Sequence, residues 1–436
     1  MSRIVAGIVA AALSLTAGAA FAADAPWAGT WTVTASFANG RTAAPLTLTE
    51  TDGKIEGTAG PLDENQYFPL TLRGKRAGAT AQLEVLARGD VVGTLSLTAR
   101  GAALSGSGTL YGVPVTLVGV RPSTARVAPQ DRVFKPVTYQ LQYSARAEPV
   151  LRIAPGDRVT TTTLDNEGRN AALQYEGMPG NTLTGPFYVE GAMPGDTLVV
   201  HIERVVLTRD TARMYSGALN ERVVQSGYVQ TPAKGWGRTW VLDRDKGVAR
   251  LEAPGDKLTG LELPLKPMIG SIGVAPPLNQ ALYAGDLGFH GGNLDYNRLV
   301  AGSTLYLPVY HAGALLSLGD GHALQGDGEI SGQGLETSLE VTFRVELIKG
   351  KSLGQVWSED ADYVMVSGID NGLDASLAMA TTGMARWLKD RYQLNDSEVA
   401  ALLSAAVEYD IAEVVDTRPH VVAKIAKTTL AMIREP

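Results

Sequence analysis

The sequence predicts a mainly β protein with helices only near its C-terminus. It reads as an α+β chain in which a small all-β domain precedes a larger β-sandwich-like domain. Three observations carry this. Turn signals separate short alternating runs about every 8–12 residues through the first part of the chain. Glycine and proline are plentiful, at 49 and 22 residues, as a turn-rich chain requires. Helical periodicity is confined to the last part of the sequence.

The first segment is set aside from fold reasoning. Met1, Ser2 and Arg3 lead into the apolar run Ile4 to Leu15, and a small-residue stretch ends in Ala20-Phe21-Ala22. A charged start, a short apolar core and an A-x-A site form a secretory signal peptide, residues 1–22, so the mature chain is expected to begin near Ala23. The core is short for an uncleaved anchor, and no later apolar run is long enough to span a bilayer. The expected product is soluble and exported, periplasmic or secreted, with no membrane span after cleavage.

Residues 25–120 read as the small all-β domain, lipocalin-like or a sandwich. Strands are predicted at Thr30 to Ser36, Pro45 to Thr51, Lys54 to Gly57, Phe68 to Arg73, Ala81 to Leu86, Gly93 to Thr98 and Pro114 to Val118. The opening Trp27-Ala-Gly-Thr-Trp31 resembles small modules that begin with a G-x-W element. No set of catalytic side chains occurs in this segment, so it reads as a structural or adhesive addition. The junction is placed at Arg121 to Arg132, which carries two prolines and few large apolar residues.

The second domain, residues 131–436, opens with strands. Pro155-Gly156-Asp157, Pro194-Gly195-Asp196 and Pro254-Gly255-Asp256 repeat one turn type. In it Pro presets φ, Gly permits φ > 0 and Asp bonds the local backbone, so each is expected at a strand start. The first two feed the β-branched runs Arg158 to Leu164 and Thr197 to Leu207, and Gly302 to Val309 forms another strand. Leu373 to Arg391 is predicted helical with Leu377, Met384 and Leu388 on one face. Asp396 or Ser397 caps a second helix running to about Tyr409.

Composition excludes several chemistries. A chain of 436 residues needs more than one core. Cysteine is absent, which removes disulfides, thiolate metal sites and the cysteine-nucleophile amidases. The net charge of −7 argues against nucleic acid as a partner. There is no dinucleotide fingerprint or P-loop. A homo-oligomer is compatible with the sequence, which names no residue for one.

The chemistry concentrates in Met268 to Glu329, which holds three of the five histidines. His290-Gly-Gly-Asn-Leu-Asp295, Gly319-Asp-Gly-His322 and Gln325-Gly-Asp-Gly-Glu329 bring imidazoles and carboxylates together, glycine on nearly every side. In an extended segment Asp320 and His322 point the same way and can share a cation. Nitrogen and oxygen donors suit a divalent ion such as zinc; calcium fits less well, because His is a poor calcium ligand. Such an ion would acidify a bound water and polarise a carbonyl. Gly-Asp-Gly and Gly-Asn are also ordinary tight turns. His201 and His311 read as sheet-face residues, and His420 carries no expectation.

Four separated stretches in this order resemble the acetamidase/formamidase family: Asn181 to Leu198, Met268 to Pro276, His290 to Asp295, and Gly313 to Glu329. Glu413-Val-Val-Asp416 is similar too. The resemblance spans about Pro136 to Ile425 and omits the leading β domain. It implies a β-rich catalytic domain that hydrolyses a C–N bond of a small amide to carboxylate and ammonia, with a metal near these motifs. His290, Asp295, Asp320 and His322 match the family's polar motif residues, Glu329 its acidic residue after Gly-Asp-Gly, and Asp165 the acidic residue after the first strand. Beyond what the matches imply, we assign His290, Asp295, Asp320 and His322 as metal ligands with Asp165 as a fifth. Glu329 is assigned as general base and then acid, with Asp327 as a second catalytic carboxylate. Because the leader and extra domain set this chain apart, a lactam or another exported small amide is an alternative substrate. A non-catalytic metal- or ligand-binding protein is the rival of another class.

Overall fold

The computed structural model describes residues 27–38, 40–59, 70–121, 128–215, 219–225, 237–253 and 255–434. The leader expected at residues 1–22 lies outside these, as do Phe68, Pro254 and part of the expected junction. Eight strands form the leading domain: β1 (Gly29–Phe37), β2 (Gly40–Thr51), β3 (Lys54–Ala59), β4 (Leu70–Ala77), β5 (Thr80–Ala87), β6 (Asp90–Arg100), β7 (Ala103–Leu110) and β8 (Val113–Val120). Each pairs antiparallel with the next and β1 closes on β8, giving a barrel with no free edge, not a sandwich. Alternation fills its inside: Trp31, Ile55 and Leu97 are fully buried, so the lumen is a packed core.

The strand β7 was not expected from sequence. Its inward positions after Leu104 are Gly106 and Gly108, where an alternating pattern would show apolar residues. Tertiary geometry explains them: a Cβ on Gly108 would stand 1.9 Å from the Thr94 carbonyl oxygen, so the curved wall leaves room only for hydrogen.

The second domain is built, among the described residues, on an eleven-stranded and a nine-stranded sheet. Their facing sides share one apolar core, with Leu198, Val200 and Leu307 from the second sheet against Ile272, Leu316 and Leu318 from the first. Two of the repeated turns do what their composition predicts. Asp157 accepts from Ala154 N, Asp196 accepts from Met193 N, and strands Arg158–Thr162 and Thr197–Leu207 follow. The third does not: Asp256–Leu258 is a single 3₁₀ turn.

Helices α1 (Leu373–Tyr392), α2 (Asp396–Ala406) and α3 (Lys427–Leu430) cover the far end of the nine-stranded sheet. The buried face of α1 runs Ser376, Ala380, Met384, Leu388, a spacing of four that leaves Leu377 one step off and exposed. The cap of α2 is Asn395, in a capping box with Glu398, rather than Asp396 or Ser397. Tyr409 belongs to the strand Glu408–Glu413 that follows. Among the described residues no helix is long and apolar enough to cross a membrane.

His420 begins the strand His420–Ala426 and is fully buried, with Nδ1 2.7 Å from the Leu294 carbonyl oxygen. Burial lowers its pKa from 6.5 to about 4 against the small opposing effect of that bond. The fold therefore favours the neutral ring. Its contribution is complete above pH 6.5 and is lost as pH falls toward 4, by about 2–3 kcal/mol. The urea midpoint of wild type should drop more between pH 7 and pH 4.5 than that of His420→Gln; equal drops would contradict this.

Candidate active site

Two fully buried strands lay the floor of the site. Met268–Gly273 and Leu316–His322 pair antiparallel with Met268 opposite His322 and Ser271 opposite Gly319. Gly270 therefore stands across from Asp320. The next strand, Glu336–Thr337, sets Glu336 opposite His322. Asn293 and Asp295 come off the short strand Gly291–Asn293 beside Ser271. Glu329 arrives on a turn that the strand Glu408–Glu413 holds, since Gly328 N donates to Ile411 O at 2.8 Å and Val414 N to Gly328 O at 3.1 Å.

These elements converge on His322. Its Nε2 lies 3.2 Å from Glu336 Oε1, 3.6 Å from Asp320 Oδ1 and 3.9 Å from Asp295 Oδ1. Two overlapping sets, Asp295–His322–Glu329 and Asp320–His322–Glu336, each bring their ligand atoms within 4.8 Å of one another. The backbone is held in the left-handed region at Asp295 (φ 38°), Asp320 (φ 53°) and Glu329 (φ 45°). Such strain costs roughly 1–3 kcal/mol per residue and persists where the surroundings impose it, commonly at functional sites.

Amide groups orient the donors. Gln325 Nε2 donates to the carbonyls of Asp295 at 2.6 Å and Ala412 at 3.3 Å, which turns its Oε1 toward His322 Nδ1 at 2.8 Å. Nδ1 must then carry a proton, which leaves Nε2 as the nitrogen that faces the carboxylates. Asn293 accepts from Ser271 Oγ and from Asn181 Nδ2 at 3.0 Å, and its Nδ2 donates to Asp295 Oδ2 and, at 2.7 Å, to Asp416 Oδ2. With the second oxygens so occupied, Asp295 Oδ1, Asp320 Oδ1 and His322 Nε2 are buried without a hydrogen-bond partner.

The electrostatics ask for a cation. Burial raises the Asp295 carboxyl well above its usual range, and Glu329 and Asp320 add to this. Burial likewise raises Glu329, and Glu336 to about 7, each partly offset by His322. Burial would lower His322, yet Glu336 and Asp320 hold it well above 6.5. Crowded carboxylates that raise one another, and that hold a proton on the imidazole between them, are stabilised by a positive charge at their centre. Room for it depends on Gly270, whose Cβ, if present, would lie 2.5 Å from Asp295 Oδ1 and 2.8 Å from Asp320 Oδ2. The donor set, nitrogen plus carboxylate, fits a divalent ion.

Four sequence-predicted residues, Asp295, Asp320, His322 and Glu329, meet here. Three do not. His290 sits across the strand Gly291–Asn293, in the wall of a cavity of about 860 Å³ beside Phe289, Tyr310 and Arg418. Burial lowers its pKa to about 4, with Asp286 raising and Arg418 lowering it. Asp165 is consumed in a buried ion pair with Arg209 Nη2 at 2.7 Å and accepts from Glu167 N and Arg169 N. Asp327 faces solvent and takes a bond from Asn297 Nδ2 at 2.7 Å. His311 lies in a turn, its Nε2 2.8 Å from Pro276 O, rather than on a sheet face.

Sequence reasoning missed Glu336, Asn293, Gln325, Asn181 and Asp416. All but Glu336 stand in the stretches that resemble the family, yet none was assigned a role. Glu413 is fully buried, and burial and Asp416 raise its pKa to about 8; burial raises Asp416 to about 6.

Comparison with known proteins gives one family. Residues 143–282 and 288–429 match the model of the Acetamidase/Formamidase family. A formamidase of Methylophilus methylotrophus is 25% identical over 337 residues, covering 61% of this chain and 83% of that one. A structure described as a predicted acetamidase/formamidase of Thermoanaerobacter tengcongensis superposes with a TM-score of 0.61 at 28% identity, covering 70% of this chain and 99% of that one. An acetamidase of Bacillus halodurans gives 0.59 at 29% identity, over 69% and 99% of the two chains.

Proposed function

The chain belongs to the acetamidase/formamidase family, and on that footing we propose that it hydrolyses the C–N bond of a small linear amide, releasing ammonia and a carboxylate with the help of a divalent cation. The observation that carries the reading is the convergence of three buried, unpartnered atoms, Asp295 Oδ1, Asp320 Oδ1 and His322 Nε2, around a space kept open by Gly270. These residues would hold the ion, with Glu336, on the same Nε2 side of His322, as a further ligand. When bound, the ion supplies Lewis-acid chemistry, polarising the amide carbonyl and lowering the pKa of water.

The protein's own groups do the rest. Gln325 fixes the tautomer and direction of His322. Asn181 and Asn293 hold the carboxylates in place. Glu329 is buried and its raised pKa suits it to take a proton from the attacking water and return it to the leaving nitrogen. Zinc is the ion proposed, because imidazole with carboxylates suits it and calcium seeks six to eight oxygens. The proposed place of action is the periplasm or outside the cell, on the strength of the leader-like residues 1–22.

Purified protein should contain metal and release ammonia from formamide or acetamide. Chelation should abolish release, and zinc should restore it where calcium does not. Undiminished hydrolysis by metal-free protein would refute the cation's role and leave amide hydrolysis standing.

A further inference from the structure

Tyr143 is fixed by packing and free at its tip. It lies on the strand Gln142–Ser144 opposite Leu282, and its ring meets His290 edge-on with centroids 5.0 Å apart. Leu183 and Ala284 complete its apolar surroundings, and a Cβ on Gly273 would lie 3.2 Å from the ring. The side chain is 1% exposed, yet its hydroxyl has no hydrogen-bond partner among the described residues. An unsatisfied buried polar group costs about 1–3 kcal/mol, and phenylalanine would fill the same space without that cost.

Packing sets the ring on the floor of the site: Leu183 beside it pairs with Gly319, next to Asp320, and Gly273 against its Cε1 ends the strand that carries Gly270 and Ser271. Burial first, then the Asp320 and Asp295 carboxylates, hold the phenol protonated, while Ser271 acts the other way. It is therefore a neutral donor beside the two carboxylates that frame the proposed cation. Ser271 Oγ gives its own hydrogen to Asn293 Oδ1, and Asp320 Oδ2 accepts from Asn181. A preorganised O–H left unused in a dry site is suited to charge that develops only during reaction.

We propose that Tyr143 is a further catalytic residue, whose O–H donates to the carbonyl oxygen of the bound amide and stabilises the negative charge formed there on attack. This rests on the reading of the Asp295–Asp320–His322 cluster as an amidase centre. As the C–O bond forms from water, the carbonyl π electrons move to oxygen, where Tyr143 shares its hydrogen without transferring it. When the C–N bond breaks, the electrons return and the water-derived proton leaves on nitrogen by way of Glu329.

The test is Tyr143→Phe in the full chain. It should lower kcat by about 10²–10³-fold with KM little changed, the loss expected for one oxyanion donor. Metal content should hold and Tm should stay level or rise. Methylphosphonamidate, a tetrahedral oxyanion mimic, should bind the variant more weakly by a similar factor. Full kcat in the variant, or a fall in Tm with lost metal, would overturn the proposal. If wild type hydrolyses no amide, the amidase reading fails separately. Phosphonamidate binding then decides alone, and equal affinity for both proteins rejects the Tyr143 donor.

Discussion

His322→Ala should abolish both metal binding and amide hydrolysis, lowering kcat/KM by about 10³-fold or more, because a divalent ion is worth several kcal/mol at the reacting carbonyl and each 1.36 kcal/mol is tenfold in rate. His322 is shared by both ligand sets, so its loss disables each at once. The protein should still fold, since the apolar core between the sheets does not depend on this ring. Asp327→Ala makes the contrast. Asp327 is exposed and, among the described residues, bonded to the Asn297 amide alone, so its removal should change activity less than about twofold, as at most surface sites. Metal content and ammonia release measured on both variants check this. Metal retained in His322→Ala would place the ion elsewhere, and loss in Asp327→Ala would restore that residue to the site.

Gly270→Ala should be comparably severe while adding a single methyl. The backbone at Gly270 is not in the left-handed region, so alanine is allowed by φ and ψ. What forbids it is space: the new Cβ would meet Asp295 Oδ1 at 2.5 Å, Asp320 Oδ2 at 2.8 Å and the Asp320 carbonyl oxygen at 2.9 Å. The carboxylates cannot withdraw, because Asn293 and Asn181 hold their other oxygens. The methyl therefore occupies the place of the ion and displaces its ligands. Expected are loss of metal, loss of hydrolysis by about 10²-fold or more and a destabilisation of about 1–3 kcal/mol from overpacking. Calorimetric zinc titration of the variant is the check; normal affinity would mean that the ion binds away from Gly270.

The motifs of Met268 to Glu329 were legible for a definite reason. Asp320 and His322 are two apart on a strand, so local alternation alone aims them at one point, and the structure sets them 3.6 Å apart. His290 and Asp295 show the limit of that logic. They share one short motif, but the strand Gly291–Asn293 lies between them, and only Asp295 turns inward. Asp165 matches the acidic residue that follows the first strand in the family, and nothing local shows that Arg209, 44 residues on, neutralises it. Nothing local marks Glu336, whose sequence Gly334-Leu-Glu-Thr resembles any strand start. It becomes a site residue through pairing with His322.

By itself the sequence determined what depends on near neighbours: strand alternation, the turn chemistry of Pro-Gly-Asp, the late helices, the absence of thiol chemistry and the family. Tertiary structure decided what depends on distant ones. It closed eight strands into a packed barrel, because β1 meets β8 only after the whole wall has curved round. It also chose which carboxylates face His322. Burial and crowding there come from segments as far apart as Asn181 and Asp416, and a desolvated charge is stabilised by whatever the fold brings to it, wherever that lies in the chain.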